Sequence, residues 1–455
     1  MKNFITEKER QTEVIEEVDV LVVGGGPSGI GAAIGAAKTG VSTMIIEALG
    51  SFGGMWTNGL IITLAGFNNW LRPYQRCVDG VMGEWLVRAE KMGGAENNRS
   101  WVLNSDPEIL KFTADQMLLD YNVKCLLHTW AADVMMEGNR IKGVLVENVE
   151  GRGIILAKNI IDCTGNGDIM VRSGESWAIS SELQPCTLGF VLADVDPKGK
   201  FEDETIIPIG PEPGYIEGKT LDDYQSARRD IVIDRKKLRD AFERGEIPKY
   251  GGPWFGGVKR RFPWINTTRA YGSGVNIEDL TKAEMSTRKD AFELLKFYKK
   301  ELEGFENSWI VKTGATLGIR ETRQLDGVYR LTGQDLIDSK EFDDSIAVCS
   351  WPIDIHPSKG EVGQHSLYIP LPFQIPLRSL LPKKVENLIV AGRCISADRK
   401  AMAATRVGAT CGAIGHAAGV AAAITSKSRL NPREIDSKLV QKELLKQNAI
   451  ITRPE

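Results

Sequence analysis

The chain has 455 residues, 42% of them hydrophobic and 26% charged, with 47 Gly and 19 Pro. At roughly 150 residues per domain this allows two or three domains with large cores, and the composition excludes a disordered or collagen-like chain. The 57 Lys and Arg nearly cancel 60 Asp and Glu, leaving a formal charge of −3, so the broad electrostatic attraction behind nucleic-acid or anionic-membrane binding is missing.

Seven cysteines form no C-x-x-C pair, which argues against a zinc or thioredoxin-type site and against a disulfide framework. Reduced thiols in a cytoplasmic protein, with no metal site, are the plain expectation. Met1 to Glu17 is charged and holds no apolar stretch of signal-peptide length.

In chain order, Val18 to Val23 is a β-branched run expected of a strand buried on both faces of a parallel sheet. Gly29 to Lys38 follows as an Ala-rich helix and Val41 to Glu47 as a second buried strand, completing a right-handed β-α-β unit. Residues 51–105 read as an insertion with a helical stretch at Gly83 to Lys91. Two alternating runs, Lys124 to Glu137 and Arg140 to Glu147, joined at Gly138-Asn139, predict a β-hairpin, and Ile154 to Cys163 a further strand. From 171 to 384 the composition shifts to short strands, Pro and aromatics, with one amphipathic helix, Asp279 to Glu303, ended by Gly304. Asn387 to Val390 returns as a buried strand. Ala403 to Ile424 then reads as one small-residue helix, long enough for a bilayer but interrupted by Arg406 and His416, and so expected in a soluble core. The expected class is α/β: a Rossmann-like domain from 1–170 and 385–455, its parallel sheet carrying a hairpin or meander insert, with a second α+β capping or substrate domain at 171–384 between them.

Gly24-x-Gly26-x-x-Gly29 lies between the first strand and its helix, and Glu47 ends the next strand. Gly24 suits a tight turn, Gly26 lets the backbone approach a pyrophosphate, and Gly29 permits close helix-to-strand packing. The helix N-terminus offers free N–H groups to phosphates, and Glu47 suits ribose hydroxyls while repelling a 2′-phosphate. Gly53-Gly54-Met55 just beyond Glu47, together with Thr164-Gly165 and Gly392-Arg393 at two strand ends, favour the longer FAD over NAD. No second G-x-G-x-x-G follows a strand, so a separate nicotinamide domain is not expected.

The segments VDVLVVGGGPSGIGAAIGAAKTG…IIE…FGGMWTNG, KNIIDCTGNGDI, LGIRETRQLDGVYRLTGQD and YIPLPFQIPLRSLLP…ENLIVAGRCISADRKAMAATRVGATCGAIGHAAGVAAA resemble the FAD-dependent oxidoreductase family of the glutathione-reductase-like flavoprotein superfamily. The resemblance implies that Gly24, Gly26, Pro27, Ser28 and Gly29 wrap the FAD pyrophosphate, Glu47 the adenosine ribose, and a backbone group near Ala131 the adenine. It implies further that Gly392 and Arg393 flank the diphosphate or ribityl chain, and that the helix opening near Ala403, Ala404 and Arg406 faces the isoalloxazine, where its dipole favours the anionic reduced flavin. The implied activity is hydride transfer between a small organic substrate and flavin N5, with an unidentified electron acceptor. The alternatives are non-redox isomerase- or hydratase-like chemistry on a flavoprotein, and a non-catalytic dinucleotide-binding protein.

On the substrate side, Arg320 and Arg323 stand three apart and either clamp an anionic small molecule or form ion pairs with Glu321 or Asp326. His365 near Tyr368 is the general-base candidate, because imidazole titrates near neutrality; His416 reads as packed core, His128 as part of the hairpin and His356 as loop. Tyr250 to Trp264 reads as a lid, as a partner or homo-oligomer contact, or as a packed irregular connection. Cys77 and Cys394 read as inert buried thiols, with a redox-active or flavin-linked role as the alternative.

Overall fold

The structure is a computed structural model that describes residues 5, 8–71, 73–98, 100–197, 214–215, 231, 234–357 and 366–454. Strand β1 (Glu13–Val23) enters helix α1 (Pro27–Lys38), which returns to β2 (Thr43–Ile46) as a parallel neighbour. The alternating run 124–137 is not one hairpin arm. It divides into β3 (Lys124–Leu126), parallel to β2 at the sheet edge, and β4 (Trp130–Glu137), because His128 adopts a left-handed φ of 51° between them. Strand β4 pairs antiparallel with β5 (Arg140–Asn148), and β5 with β6 (Gly151–Asp162). The seven-stranded sheet runs β3-β2-β1-β6-β5-β4, with the strand Leu388–Val390 also on β6. The twelve residues of β6 serve both neighbours, since Gly151 to Leu156 pair with β5 while Ile160 to Asp162 pair in parallel with Leu388–Val390. Asn387 locks the fork: its side chain accepts from Ile141 N at 2.8 Å and donates to the carbonyls of Ile141 and Lys158, each at 2.9 Å.

The segment 51–105 holds the expected helix as Val81–Lys91. A second helix, Pro107–Asp120, follows it; its sequence signals are Asp106, whose side chain accepts from Glu108 N at 3.0 Å, and Pro107 in the first turn.

A second, antiparallel sheet is built from β7 (Phe190–Ala193), β8 (Tyr250–Gly256), β9 (Trp264–Thr268) and, after helix α2 (Ile277–Glu301), β10 (Trp309–Thr313), in the order β8-β9-β7-β10. Asn276 caps α2 by accepting from Asp279 N at 3.0 Å. Phe190, Phe255, Ile265, Leu294, Tyr298 and Phe305 form the core between this sheet and α2. The stretch Tyr250 to Trp264 holds β8 and the loop that leads into β9; the two strands pair antiparallel with a register shift between Tyr250 and Trp254, and Phe255 and Trp264 are buried. Further along, Leu331, Ile346, Phe373 and Leu380 pack in the same cluster as Ile30 of α1 and Ala418 of the helix Gly408–Ser428.

The predicted helix over 403–424 is two helices, α3 (Arg399–Thr405) and α4 (Gly408–Ser428), separated by the extended Val407 (ψ 147°). Among the described residues α4 is a helix long and apolar enough to cross a membrane, but 83% of its apolar window is buried inside the protein. It crosses α1 backbone to backbone. A Cβ on Gly415 would stand 1.9 Å from Ser28 O, and one on Gly419 would stand 2.0 Å from Ala32 O. Gly415→Ala is therefore expected to lower unfolding free energy by about 3 kcal/mol, the upper range for overpacking, read as a lower denaturation midpoint.

His416 on α4 is 1% exposed, with Nε2 2.8 Å from Gln447 Oε1. Burial pushes its imidazole down to about 4 from an ordinary 6.5. Between those values the unfolded chain binds the extra proton, so stability is complete above pH 6.5 and falls as pH drops toward 4, by about 1.4 kcal/mol per unit. Melting temperature measured between pH 7 and 5 should fall more steeply in the native chain than in His416→Gln.

Candidate active site

The three fingerprint glycines do three separate jobs. Gly24 has a φ of 102°, and a Cβ there would lie 2.5 Å from Cys163 O; a Cβ on Gly29 would lie 1.8 Å from Gly24 O. Both positions are dictated by the protein's own backbone. Gly26 differs, because its Cβ would meet only Gly54 Cα, at 3.8 Å. The space beside it belongs to a cavity of about 410 Å³ whose wall includes Gly24, Gly26, Pro27, Ser28, Glu47, Gly54 and Met55. No side chain caps the N-terminus of α1, so its dipole end stays available at this wall.

Glu47 closes one end. Its Oε2 accepts from Gly25 N at 2.6 Å and its Oε1 from Leu49 N at 2.9 Å, while burial raises its carboxyl above the usual range. Ala131 does not line the cavity and instead packs on the hairpin side of the sheet; the nearby Thr129 N bonds to Glu47 O at 3.0 Å and brings that backbone alongside. Gly53, at a φ of 104°, donates from its N to Gly25 O at 2.8 Å and so supports the wall without lining it.

Midway along the cavity are Thr164, Gly165, Gly392 and Arg393. Arg393 is held by Asn166 Oδ1 at 2.7 Å and Thr322 Oγ1 at 3.1 Å. At the far end, the helix opening is Val407 and Gly408 at the uncapped start of α4, with Arg406 beside it. Ala403 and Ala404 are fully buried in α3 and do not line the cavity, because the chain breaks at Val407 and α4 begins one turn later than the sequence predicts.

Arg320 also lines this end, and Arg323 does not. Residues 320–323 belong to neither a helix nor a strand, so a spacing of three does not put the two side chains on a common helical face. Arg323 turns outward to Asp168 Oδ1 at 3.2 Å and over the Trp177 ring, while Glu321 and Asp326 pair with Arg399 and Lys383 instead. Tyr368 pairs with Ile353 on the neighbouring strand but does not line the cavity, and His365 lies outside the described residues.

The histidine at the cavity is His356. The strand Ile353–Ile355 ends there and puts Asp354 and His356, two residues apart, on the wall together with Trp351. His356 Nε2 is 3.5 Å from Asp354 Oδ2, which also accepts from Arg406 Nη2 at 3.1 Å. An Asp-x-His pair closing a strand was the signal for this site in the sequence. Cys163 and Cys411 line the cavity as well, but burial pushes the Cys411 thiol up to about 12 and Cys163 higher still. Cys77, pushed up to about 12, and Cys394, well above its ordinary value, are buried away from the cavity.

A crossed-glycine turn, an acid at the next strand end and a long cleft between two helix N-termini define a dinucleotide-binding flavoenzyme. The family model for FAD dependent oxidoreductases matches residues 19–444, and the chain belongs to that family, with FAD as its cofactor. The thiamine thiazole synthase of Methanococcus vannielii is 30% identical over 168 residues, 33% of this chain and 57% of the relative. That of Sulfolobus acidocaldarius is 29% identical over 186 residues, 39% and 63% respectively. The chain thus spans less than two thirds of the length of these relatives. Among solved structures, p-nitrophenol 4-monooxygenase from Pseudomonas putida is similar over 95% of this chain and 85% of its own, at 11% identity and a TM-score of 0.47. A geranylgeranyl bacteriochlorophyll reductase-like protein from Thermoplasma acidophilum is similar over 96% and 84%, at 13% identity and a TM-score of 0.46.

The open space at Gly26 yields a sharp contrast. Gly26→Ala should fold with an unchanged melting temperature yet lose FAD affinity by about tenfold or more, whereas Gly24→Ala, strained and clashing, should lose stability as well. Flavin content and thermal melts of the two variants separate these outcomes.

Proposed function

We propose that the chain holds FAD along this cavity and moves a hydride between flavin N5 and a small organic substrate seated against Arg320, Arg406 and His356. Bound FAD supplies the hydride chemistry. The observation that carries the reading is the continuity of one cavity from the fingerprint glycines to that polar cluster.

In this reading Gly26, Pro27, Ser28 and Gly392 give the pyrophosphate side-chain-free backbone, and Arg393 lies beside the phosphate and ribityl region. Glu47 takes the adenosine ribose by exchanging its bond to Gly25 N for ribose hydroxyls. The start of α4 at Val407 and Gly408 presents its positive dipole end where reduction adds negative charge. Residues 171–384 supply the opposite wall through Thr187, Asn266, Leu317 and Arg320 and keep water from the reacting region. Arg320 orients the substrate, and the His356 imidazole, with Nε2 toward Asp354, holds or moves a proton. The thiazole-forming activity named for the relatives is not carried over, because that similarity covers about a third of this chain.

Anaerobic mixing with a turned-over substrate should bleach the oxidised flavin band. Product formed with the band intact would instead favour the non-redox alternative. His356→Gln should retain its FAD and slow turnover by about 100-fold or more, the usual contribution of a positioned acid or base.

A further inference from the structure

The substrate end of the cavity carries a charge imbalance. Arg320 and Arg406 line it, and Arg269 stands directly behind, sharing Thr187 Oγ1 with Arg320 at 2.7 Å from each guanidinium. Thr187 Oγ1 passes its own hydrogen to Thr268 O at 3.0 Å, so it is an acceptor to both cations and a neutral pivot between them. Against these three cations the described residues lining this end of the cavity set one acid, Asp354. Arg269 is 7% exposed and Arg320 8% exposed. Glu47 is the other acid on the wall, at the opposite, ribose end. Among the described residues the three guanidiniums thus outnumber the carboxylate, and burying such an excess is costly unless an anion answers it.

The donors are also open. Both hydrogen bonds of Arg320, to Pro185 O at 2.6 Å and to Thr187 Oγ1, use Nη1. Among the described residues its Nε–Nη2 edge is thus without a hydrogen bond, a fork of the geometry that receives a carboxylate bidentately. Arg406 spends only Nη2, on Asp354, and its buried Nε is without a hydrogen bond among the described residues, as is Nη2 of Arg269. Burial, and then the charges of Arg269 and Arg406, hold Arg320 well below its ordinary value, a cost that a bound anion reverses.

We infer that the substrate is a small organic dicarboxylate, one carboxylate seated on the Nε–Nη2 edge of Arg320 and the second answering Arg406, with His356 beside the carbon chain between them. This rests on the flavin reading above and adds the substrate class. Phosphate can also take the Arg320 fork, but only a dicarboxylate brings a second carboxylate to Arg406.

The test is titration of the FAD-loaded enzyme with malonate, succinate, acetate and inorganic phosphate, followed by the shift of the flavin absorption bands. Malonate or succinate should bind about tenfold or more tighter than acetate, and Arg320→Gln should abolish that advantage with FAD content unchanged. Arg320→Lys, which keeps the charge but loses the fork, should recover part of it if the glutamine variant folds poorly, and Arg323→Gln, outside the cavity, should bind as the native chain does. Equal binding of acetate and dicarboxylate, tighter binding of phosphate, or no band shift with any of them overturns the inference while leaving the flavin reading intact. A chain that carries no FAD overturns the flavin reading itself.

Discussion

Helices α1 and α4 meet with main chain against main chain, Gly415 on Ser28 and Gly419 on Ala32, and this contact determines where everything else at the site can stand. Because the helices touch without intervening side chains, their N-termini converge on one cleft: α1 beside Gly26, α4 at Gly408. Gly408 itself fits only because a Cβ there would lie 2.4 Å from the Trp56 indole. Two uncapped helix ends facing one cavity concentrate positive potential on a ligand that carries phosphates at one end and gains charge on reduction at the other.

Beta strand β6 performs the complementary task on the sheet side. Its first half supports the meander and its second half carries Leu388–Val390, so Thr164 and Gly392, far apart in sequence, leave adjacent strand ends at the same cavity. On the side of the second sheet the cavity is lined by Thr187, just before β7, by Asn266 of β9 and by the segment 316–320. Arg320 lines the cavity from that segment, while Arg323 pairs with Asp168 instead.

What could be read from the sequence was whatever local chemistry dictates. Gly24 and Gly29 announce a tight β-to-α turn irrespective of partners, and Asn276 with Asp279 announces the start of α2, because both are settled within a few residues. The division of 124–137 and the break at Val407 were not legible. Each depends on one residue's backbone angle, His128 or Val407, imposed by the tertiary surroundings. Which of Arg320 and Arg323 faces the cavity was not legible for a related reason: the stretch is neither helix nor strand, and its place is set by the long-range bridge of Gly318 to Thr187. His356 was overlooked in favour of His365, since which end of the strand Ile353–Ile355 meets the cavity is a matter of topology rather than of composition.

The most direct measurement is the nucleotide content of the purified chain, taken from its visible spectrum and from the nucleotide released on heat denaturation. A site built from Gly26, Glu47 and the two helix ends predicts a yellow protein that releases one FAD per chain. A colourless chain that releases no nucleotide and takes up none from added FAD would contradict it.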